Sequence, residues 1–523
     1  MLKKSVLLFD TIVHLRAKQI YYRLYYALRK MLRKVFARSS AVSVQTNSRT
    51  ALKLTDSIAL PQSYSKNSFV FLNLPHRFEM AIEWNYSGHG KLWTYNLNYF
   101  DFLMQEGLSK EEGMDLIMDF VRDMPRIKEG LMPFPISLRG VNWIKFLSKH
   151  EMCDQNINEA LREQYALLME NLEYHILGNH LLENAFSLLF GAYYFQEERF
   201  YQKAKQLLLE ELDEQILPDG AHFELSPMYH QIMLFRVLDG INLLRNNSWK
   251  QDELLPFLTQ KAEKMLAWLR LMSFSNGDIP LFNDSAKNIA PTTQELHNYA
   301  LRLDLHEGAT SLRECGYRKW TEETYECVVD VGNIGPDYIP GHAHSDTFNF
   351  ELYIRGKPFI VDTGLSTYET NARRMLERST SAHNTVEVAG KNQSQVWGGF
   401  RVGKRAKIVS LEENKQGVSA VHNGYKDIGV RHRRSFSFAP KSLVIEDLLE
   451  GEKSEGRAYL HFSPGIEPAV EGSCIIFESS QISVSSEKIT IEEYFYAPEF
   501  NTAIAAKVAV INFSQNLHME IRL

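Results

Sequence analysis

The hydrophobic period of this 523-residue chain changes once, near residue 320, and that change constrains the architecture more than any other feature. From about residue 95 to 305, apolar side chains recur at i, i+3, i+4 and i+7 in about eight segments, among them INEALREQYALLMENLEYHIL, LLENAFSLLFGAYYF and ERFYQKAKQLLLEELDEQI. Helices of this length joined by short loops predict antiparallel helical hairpins. From about residue 325 the alternation has period two, in YECVVDVGN, KSLVIEDLLE, GRAYLHFSP and TAIAAKVAVINFS, with turn residues between about a dozen short strands. Runs of helices followed by runs of strands predict a multidomain α+β protein, not an alternating α/β fold. The expected division is a basic N-terminal helix and linker over 1–67, a helical domain over 68–320 and an antiparallel β-sandwich over 321–523.

The N-terminus differs from the rest in composition. Residues 1–40 carry ten Lys and Arg against one acid, Asp10, with Ile20, Tyr21, Leu24, Leu28 and Leu32 at helical spacing. Such a helix can lie peripherally on an anionic membrane surface or pack on its own protein. Its apolar run SVLLF is too short for the core of a signal peptide, and no 18-residue apolar run suits a membrane span. The expectation is therefore a cytoplasmic protein, peripheral at the inner membrane face if the helix meets lipid. Residues 39–67 are Ser/Thr-rich and read as a loose linker. A net charge of −6 gives no global basic field, so no nucleic-acid partner is expected. Four distant cysteines without CxxC spacing read as ordinary thiols.

Polar groups concentrate between Pro340 and Thr385. His344, Asp362 and His383 fall at the ends of strand-like segments FNFELYIRG, KPFIVDTG and HNTVEVAG. Two His and one carboxylate form a common zinc shell, although spacing alone leaves coincidence open. His342 lies two residues before His344, on the same face of an extended strand. Arg373, Arg374 and Arg378 follow in NARRMLERST, then Gln393, Trp397, Arg401, Lys404 and Arg405. They can grip carboxylates or sulfates of a polyanion, or form a solvated basic loop.

In the helical half, four loop junctions carry chemistry. KLWTYNLNYFDFL offers Tyr95 and Asn98, and MPFPISLRGVNW offers Arg139, Asn142 and Trp143, which can clamp a carboxylate and stack on a sugar. Each cluster can equally be core. LGNHLLENAF sets Asn179 and His180 at a helix start, with Glu183 one turn on to orient His180. DGAHFELSPMYHQ places Glu224, Tyr229 and His230 around another. Tyr95, Asn98, Arg139, Asn142, Trp143, Glu224, Arg378 and Trp397 are the candidate substrate contacts.

With these motifs in place, GHAHSDTFNFELYIRGKPFIVDTGLSTY and RSTSAHNTV resemble the heparinase II/III-like family of polysaccharide lyases and its alginate-lyase relatives. The resemblance covers roughly residues 80–400 by motif and the remaining strands by pattern. It implies an N-terminal α/α toroid and a C-terminal antiparallel β-sandwich. It implies that His344, Asp362 and His383 bind Zn²⁺ in a structural role. It also implies that His342, the pair Asn179–His180 and Tyr229 are catalytic, and that the substrate is an acidic polysaccharide or oligosaccharide. β-Elimination explains the residue types. Asn179, with His342 or Arg139, would neutralise a uronate carboxylate. His180 or Tyr229 would take the C5 proton, and Tyr229 would protonate the leaving O4. Two alternatives stand: a hydrolase using Glu183 and Glu224, and a non-catalytic glycan-binding or assembly factor. Lacking an export signal, such a lyase would act in capsule or exopolysaccharide metabolism.

Overall fold

The computed structural model describes residues 2–36, 50–477, 480–486 and 488–523. Its helices are α1 (Leu2–Ile12), α2 (Ala17–Phe36), α3 (Lys91–Tyr99), α4 (Lys110–Asp123), α5 (Pro133–Lys149), α6 (Gln155–Glu170), α7 (Gly178–Phe195), α8 (Glu198–Gln215), α9 (Pro227–Asn246), α10 (Leu254–Met272), α11 (Thr293–Arg302) and the short α12 (Ala372–Glu377). Local chemistry fixes the ends. Ser109, Asp154, Ser226 and Thr292 each accept a backbone N–H of the first turn, and Thr292 with Glu295 completes a capping box. Helices α5, α7 and α9 are buried along most of their length, whereas α4, α6 and α8 bury one stripe. The former are an inner layer and the latter an outer one, as hydrophobicity all round versus on one side requires.

The strands follow in three larger antiparallel sheets. Residues 317–321, 325–330, 350–354 and 357–360 form the sheet that carries the polar block. A second four-stranded sheet is ordered 489–496, 504–514, 455–461 and 386–388. An eight-stranded sheet includes the hairpin Val430–Ala439 with Ser442–Gly451, whose alternate residues are buried. Phe350, Phe436, Ile445, Leu460 and Ile511 meet in the core between sheets. Helices first and antiparallel sheets second is the architecture that the change of period predicts.

Residues 50–67 depart from the loose linker expected of them. Thr50 N–H donates to Tyr194 O at 2.9 Å, Leu52 N–H to Ser148 Oγ at 3.1 Å and Thr55 N–H to Asn242 Oδ1 at 2.9 Å. Leu52 and Ile58 are buried, so the segment is a strap on the helical domain, held because helix side chains satisfy its backbone. Residues 39–49 of that expected linker, and Arg38 of the basic segment, lie outside the described residues. Helices α1 and α2 pack on the body of the protein. No described helix is long and apolar enough to cross a membrane.

Under the strap, Lys145 of α5 and Asp239 of α9 form a buried ion pair, and Ser57 and Tyr299 hydroxyls also donate to Asp239. Lys145→Met leaves that carboxylate without its cation and is expected to cost about 3–5 kcal/mol in denaturant unfolding, while the double change Lys145→Met/Asp239→Leu recovers most of the loss.

Candidate active site

The site is assembled where the loop between α10 and α11 meets the first sheet of the sandwich. Asn283 takes a left-handed conformation there (φ 56°), which Asn tolerates well. The turn delivers Asp284 into a wholly buried position. Its carboxylate receives both terminal nitrogens of Arg374 from α12, His342 Nδ1 at 2.9 Å and His344 Nε2 at 2.8 Å. Burial alone would raise the Asp284 pKa, but the Arg374 charge and the two histidine bonds hold it well below the carboxylate range. An ionised Asp284 only accepts, so His342 carries a proton on Nδ1, and the lone pair that a neutral ring has on Nε2 lies 3.4 Å from Glu224 Oε2.

That lone pair faces the helical domain. Asn179 Nδ2 lies 3.4 Å from His342 Nε2 and donates to Glu224 Oε2 at 2.9 Å. The Asn179 backbone N–H also donates to Glu224 Oε1, at 3.0 Å. Glycine is needed at 178: its φ is +58°, and a Cβ there would sit 2.6 Å from Glu224 Oε1 and 2.7 Å from Ile339 Cδ1. The Tyr229 ring lies against His342, with centroids 3.9 Å apart, and its hydroxyl is 3.2 Å from that of Tyr368. Burial, with the Asp284 and Glu224 charges, keeps the Tyr229 phenol protonated well above neutral pH despite its bond to Tyr368. The structure thus brings Asn179, Tyr229 and His342 into contact across the domain seam.

His180 is the next residue on α7, and its side chain is 31% exposed. Its Nδ1 bonds Glu173 Oε1 at 3.0 Å, and Phe134 packs on the ring. Burial opposes its charged form, but Glu173, helped by Glu224 and Glu183, raises its pKa above the ordinary histidine value. Glu183 does not orient His180, as the sequence suggested; both its oxygens accept from Arg236 Nε at 2.9 Å.

Most of the expected substrate contacts belong to the scaffold. Arg139 is buried and donates to Gln164 Oε1, Asn98 O and Gly130 O; Arg378 is buried and donates to Ala343, Gly398 and Gly399 carbonyls. Burial pushes both guanidinium pKa values down to about 9, with Arg374 adding repulsion at Arg378. Asn98 bonds Trp84 O and Thr94 O, Asn142 bonds Tyr99 O and Asp101, and Trp143 sits in the aromatic core with Phe100 and Phe120. Glu224 lies beneath Asn179 and is 2% exposed. All six side chains are buried against protein partners in this structure. Trp397 gives its Nε1–H to Thr11 of α1, 3.1 Å away, and Gln393 donates to Thr347 O. Arg373 bonds Glu377, Arg374 holds Asp284, Lys404 pairs with Asp427, Arg405 is buried, and the exposed Arg401 lies over Trp397. Tyr95 is half-buried under the Lys91 ammonium.

The expected zinc ligands are wholly buried. Asp362 accepts from His383 Nδ1 at 2.7 Å, Asn349 Nδ2 at 2.6 Å and Gly364 N at 2.9 Å. Burial pushes the His344 pKa down to about 4, so its ring is neutral, as a metal ligand must be. His344 Nδ1 and His383 Nε2 are buried without a partner, as is Asp346 Oδ2. The donor chemistry suits a cation. Among the described residues, however, no three His, Cys, Asp or Glu side chains converge closely enough to hold one.

Sequence reasoning passed over Asp284, Glu173 and Tyr368. A signal for Asp284 was available: PLFNDSAKN puts a polar Asn-Asp-Ser turn directly after an apolar run.

Two family models match the chain, "Heparinase II/III N-terminus" over residues 142–304 and "Heparinase II/III-like, C-terminal" over residues 305–523. The chain is 26% identical over 323 residues to a heparin-sulfate lyase of Bacteroides stercoris, covering 55% of this chain and 46% of that protein. It is 23% identical over 314 residues to a heparin-sulfate lyase of Bacteroides thetaiotaomicron, covering 51% and 43%. The aligned stretch thus spans less than half of either relative. The crystal structure of heparinase III superposes with a TM-score of 0.66 at 16% identity, covering 97% of this chain and 91% of that one, which establishes a shared fold.

Asp284→Asn removes the carboxylate that both terminal nitrogens of the buried Arg374 bond, and is expected to cost about 3–5 kcal/mol. Scanning calorimetry should show a melting temperature several degrees lower; an unchanged melting curve would contradict this assignment of the network.

Proposed function

We propose that this chain, which belongs to the heparinase II/III-like family, is a polysaccharide lyase that cleaves a uronic-acid-containing acidic glycan by β-elimination. The observation that carries the reading is the contact of Asn179, Tyr229 and His342 across the domain seam, with His180 beside them. The names of the relatives, heparin-sulfate lyases, support a glycosaminoglycan-like polymer as the substrate class.

The residues divide the work as follows. A uronate carboxylate must be neutralised before its C5 proton becomes acidic enough to leave. Asn179 Nδ2, held by Glu224 and 3.4 Å from His342 Nε2, supplies a donor for this, with the His342 ring forming the wall beside it. His180 is the base, because Glu173 raises its proton affinity and its ring is open to solvent. Tyr229 is the acid for the departing O4, because its environment keeps the phenol neutral. The C5–H electrons form the C4–C5 double bond as the C4–O4 bond breaks, and O4 leaves with the Tyr229 proton. No water is consumed. Glu183 and Glu224, the pair a hydrolase would need, are committed to Arg236 and Asn179.

Zinc is part of the proposal. His344, His383 and Asp362 would hold it by drawing closer together than they stand here, and the unpartnered buried nitrogens of the two histidines support this reading. Bound there, the ion would brace the loop 340–346 that carries His342.

Tyr229→Phe and His180→Ala are each expected to slow formation of the ultraviolet-absorbing unsaturated uronate by about 10²-fold or more; full rates in both would remove the two residues from the mechanism, and no product from wild type on any acidic glycan would favour a non-catalytic factor. Wild-type kcat/KM should rise with pH through an apparent pKa above 6.5, the ordinary histidine value, because His180 must lose its proton, and His180→Ala should abolish that limb. Elemental analysis should find about one zinc per chain, and chelation should lower the melting temperature; metal-free protein with unchanged melting in chelator would remove zinc from the account.

A further inference from the structure

Helices α1 and α2 are docked on the body by the opposite faces from those that hydrophobic packing would choose. In α2 the inward residues are Gln19, Tyr22, Tyr26 and Arg29, spaced at three and four. Gln19 Nε2 donates to Ile176 O at 3.1 Å, the Tyr26 hydroxyl to Leu172 O at 2.6 Å and Arg29 to Glu170 O, while Tyr22 stacks on Tyr174 at 4.5 Å. In α1, Thr11 bonds Val402 O and Trp397. Hydrogen bonds to carbonyls and ring contacts hold the two helices.

The aliphatic faces point outward. Phe9 and Leu24 are each 67% exposed, Val13 and Met31 56%, and Leu28 52%. Of twenty-seven large apolar side chains exposed among the described residues, twelve lie between Val6 and Leu32, which rules out a scatter of ordinary surface residues. Ile20, Leu24, Leu28 and Met31 recur at i, i+4, i+8 and i+11, one stripe along α2.

Charge decides what covers this stripe. Residues 1–40 hold ten Lys and Arg against Asp10, leaving forty-eight basic and sixty-three acidic residues elsewhere, so the sequence sets a segment of net charge +9 before a remainder of −15. Lys30 is exposed at the edge of the apolar stripe, Lys18 and Arg23 are exposed where the helix meets the body, over Tyr174 and on the His175 carbonyl, and Tyr21 and Tyr25 lie at the stripe's margin. An aliphatic stripe bordered by a cation and tyrosines is suited to the boundary between acyl chains and anionic headgroups. No described helix can span a bilayer, so the contact is peripheral.

We propose that α1 and α2 seat the protein on an anionic lipid bilayer by their outward aliphatic face. The inference rests on the N-terminal helices alone and stands whether or not the cleft performs elimination. α2 bonds carbonyls of residues 170–176, immediately before Asn179 and His180, so the seated face lies behind the segment that builds the cleft.

The test is co-sedimentation of the full-length protein with vesicles of phosphatidylcholine alone and of phosphatidylcholine mixed with phosphatidylglycerol. Wild type should pellet with the mixed vesicles, less with the neutral ones, and less in high salt. The triple variant Phe9→Ser/Leu24→Ser/Leu28→Ser changes three exposed side chains, so its melting temperature should match wild type while its partition falls about tenfold or more. Wild type remaining in the supernatant with both vesicles would overturn the proposal, as would equal pelleting of the variant. So would light scattering showing a wild-type dimer that the variant reduces to monomer without any lipid binding, because the face would then serve self-association.

Discussion

The rest of the site depends on one buried carboxylate. Asp284 has no exposure to water, so its charge is tolerable only where partners surround it. Arg374, His342 and His344 do so from the sandwich side, and its own chain comes from the helical domain. The same residue also fixes the opposite wall. Its carbonyl accepts the Ser226 hydroxyl at 2.7 Å, and Ser226 Oγ in turn caps the Tyr229 N–H. One loop therefore sets both the tautomer and place of His342 and the start of the helix that carries Tyr229. The 3.9 Å contact between the two rings follows from this shared anchor.

Around that anchor, environment separates groups by proton affinity. Glu173 raises the affinity of His180 for a proton, and burial holds the proton on Tyr229. Once the pH passes the raised His180 pKa, an acceptor and a donor are present together, as acid–base chemistry requires. The remaining carboxylates, Glu183 and Glu224, are bonded by Arg236 and Asn179.

Much of the architecture was legible because hydrophobic period reports it directly: the switch from 3.6 to 2 marks where helices give way to sheets. Asn179, His180, Tyr229 and His342 were legible as unusual residue types at element boundaries. The buried partners of the expected substrate contacts were not legible, for a physical reason. Arg139 and Arg378 satisfy carbonyls, and Asn98 and Asn142 brace loops, and nothing local distinguishes such an Arg or Asn from one that meets a ligand. Asp284 stayed hidden because its partner Arg374 lies ninety positions away, and a charge is read as exposed until its counterion is seen. Residues 50–67 looked like a linker because their apolar anchors, Leu52 and Ile58, are few and their backbone partners lie on distant helices.

The central claim is that this seam cleaves by elimination. Mass spectrometry of the products from a panel of acidic oligosaccharides tests it most directly. The account predicts that the fragment ending in the uronic acid is lighter by one water than the corresponding hydrolysis product, with a C4–C5 double bond. Recovery of that fragment with its full complement of water and a saturated ring would contradict it.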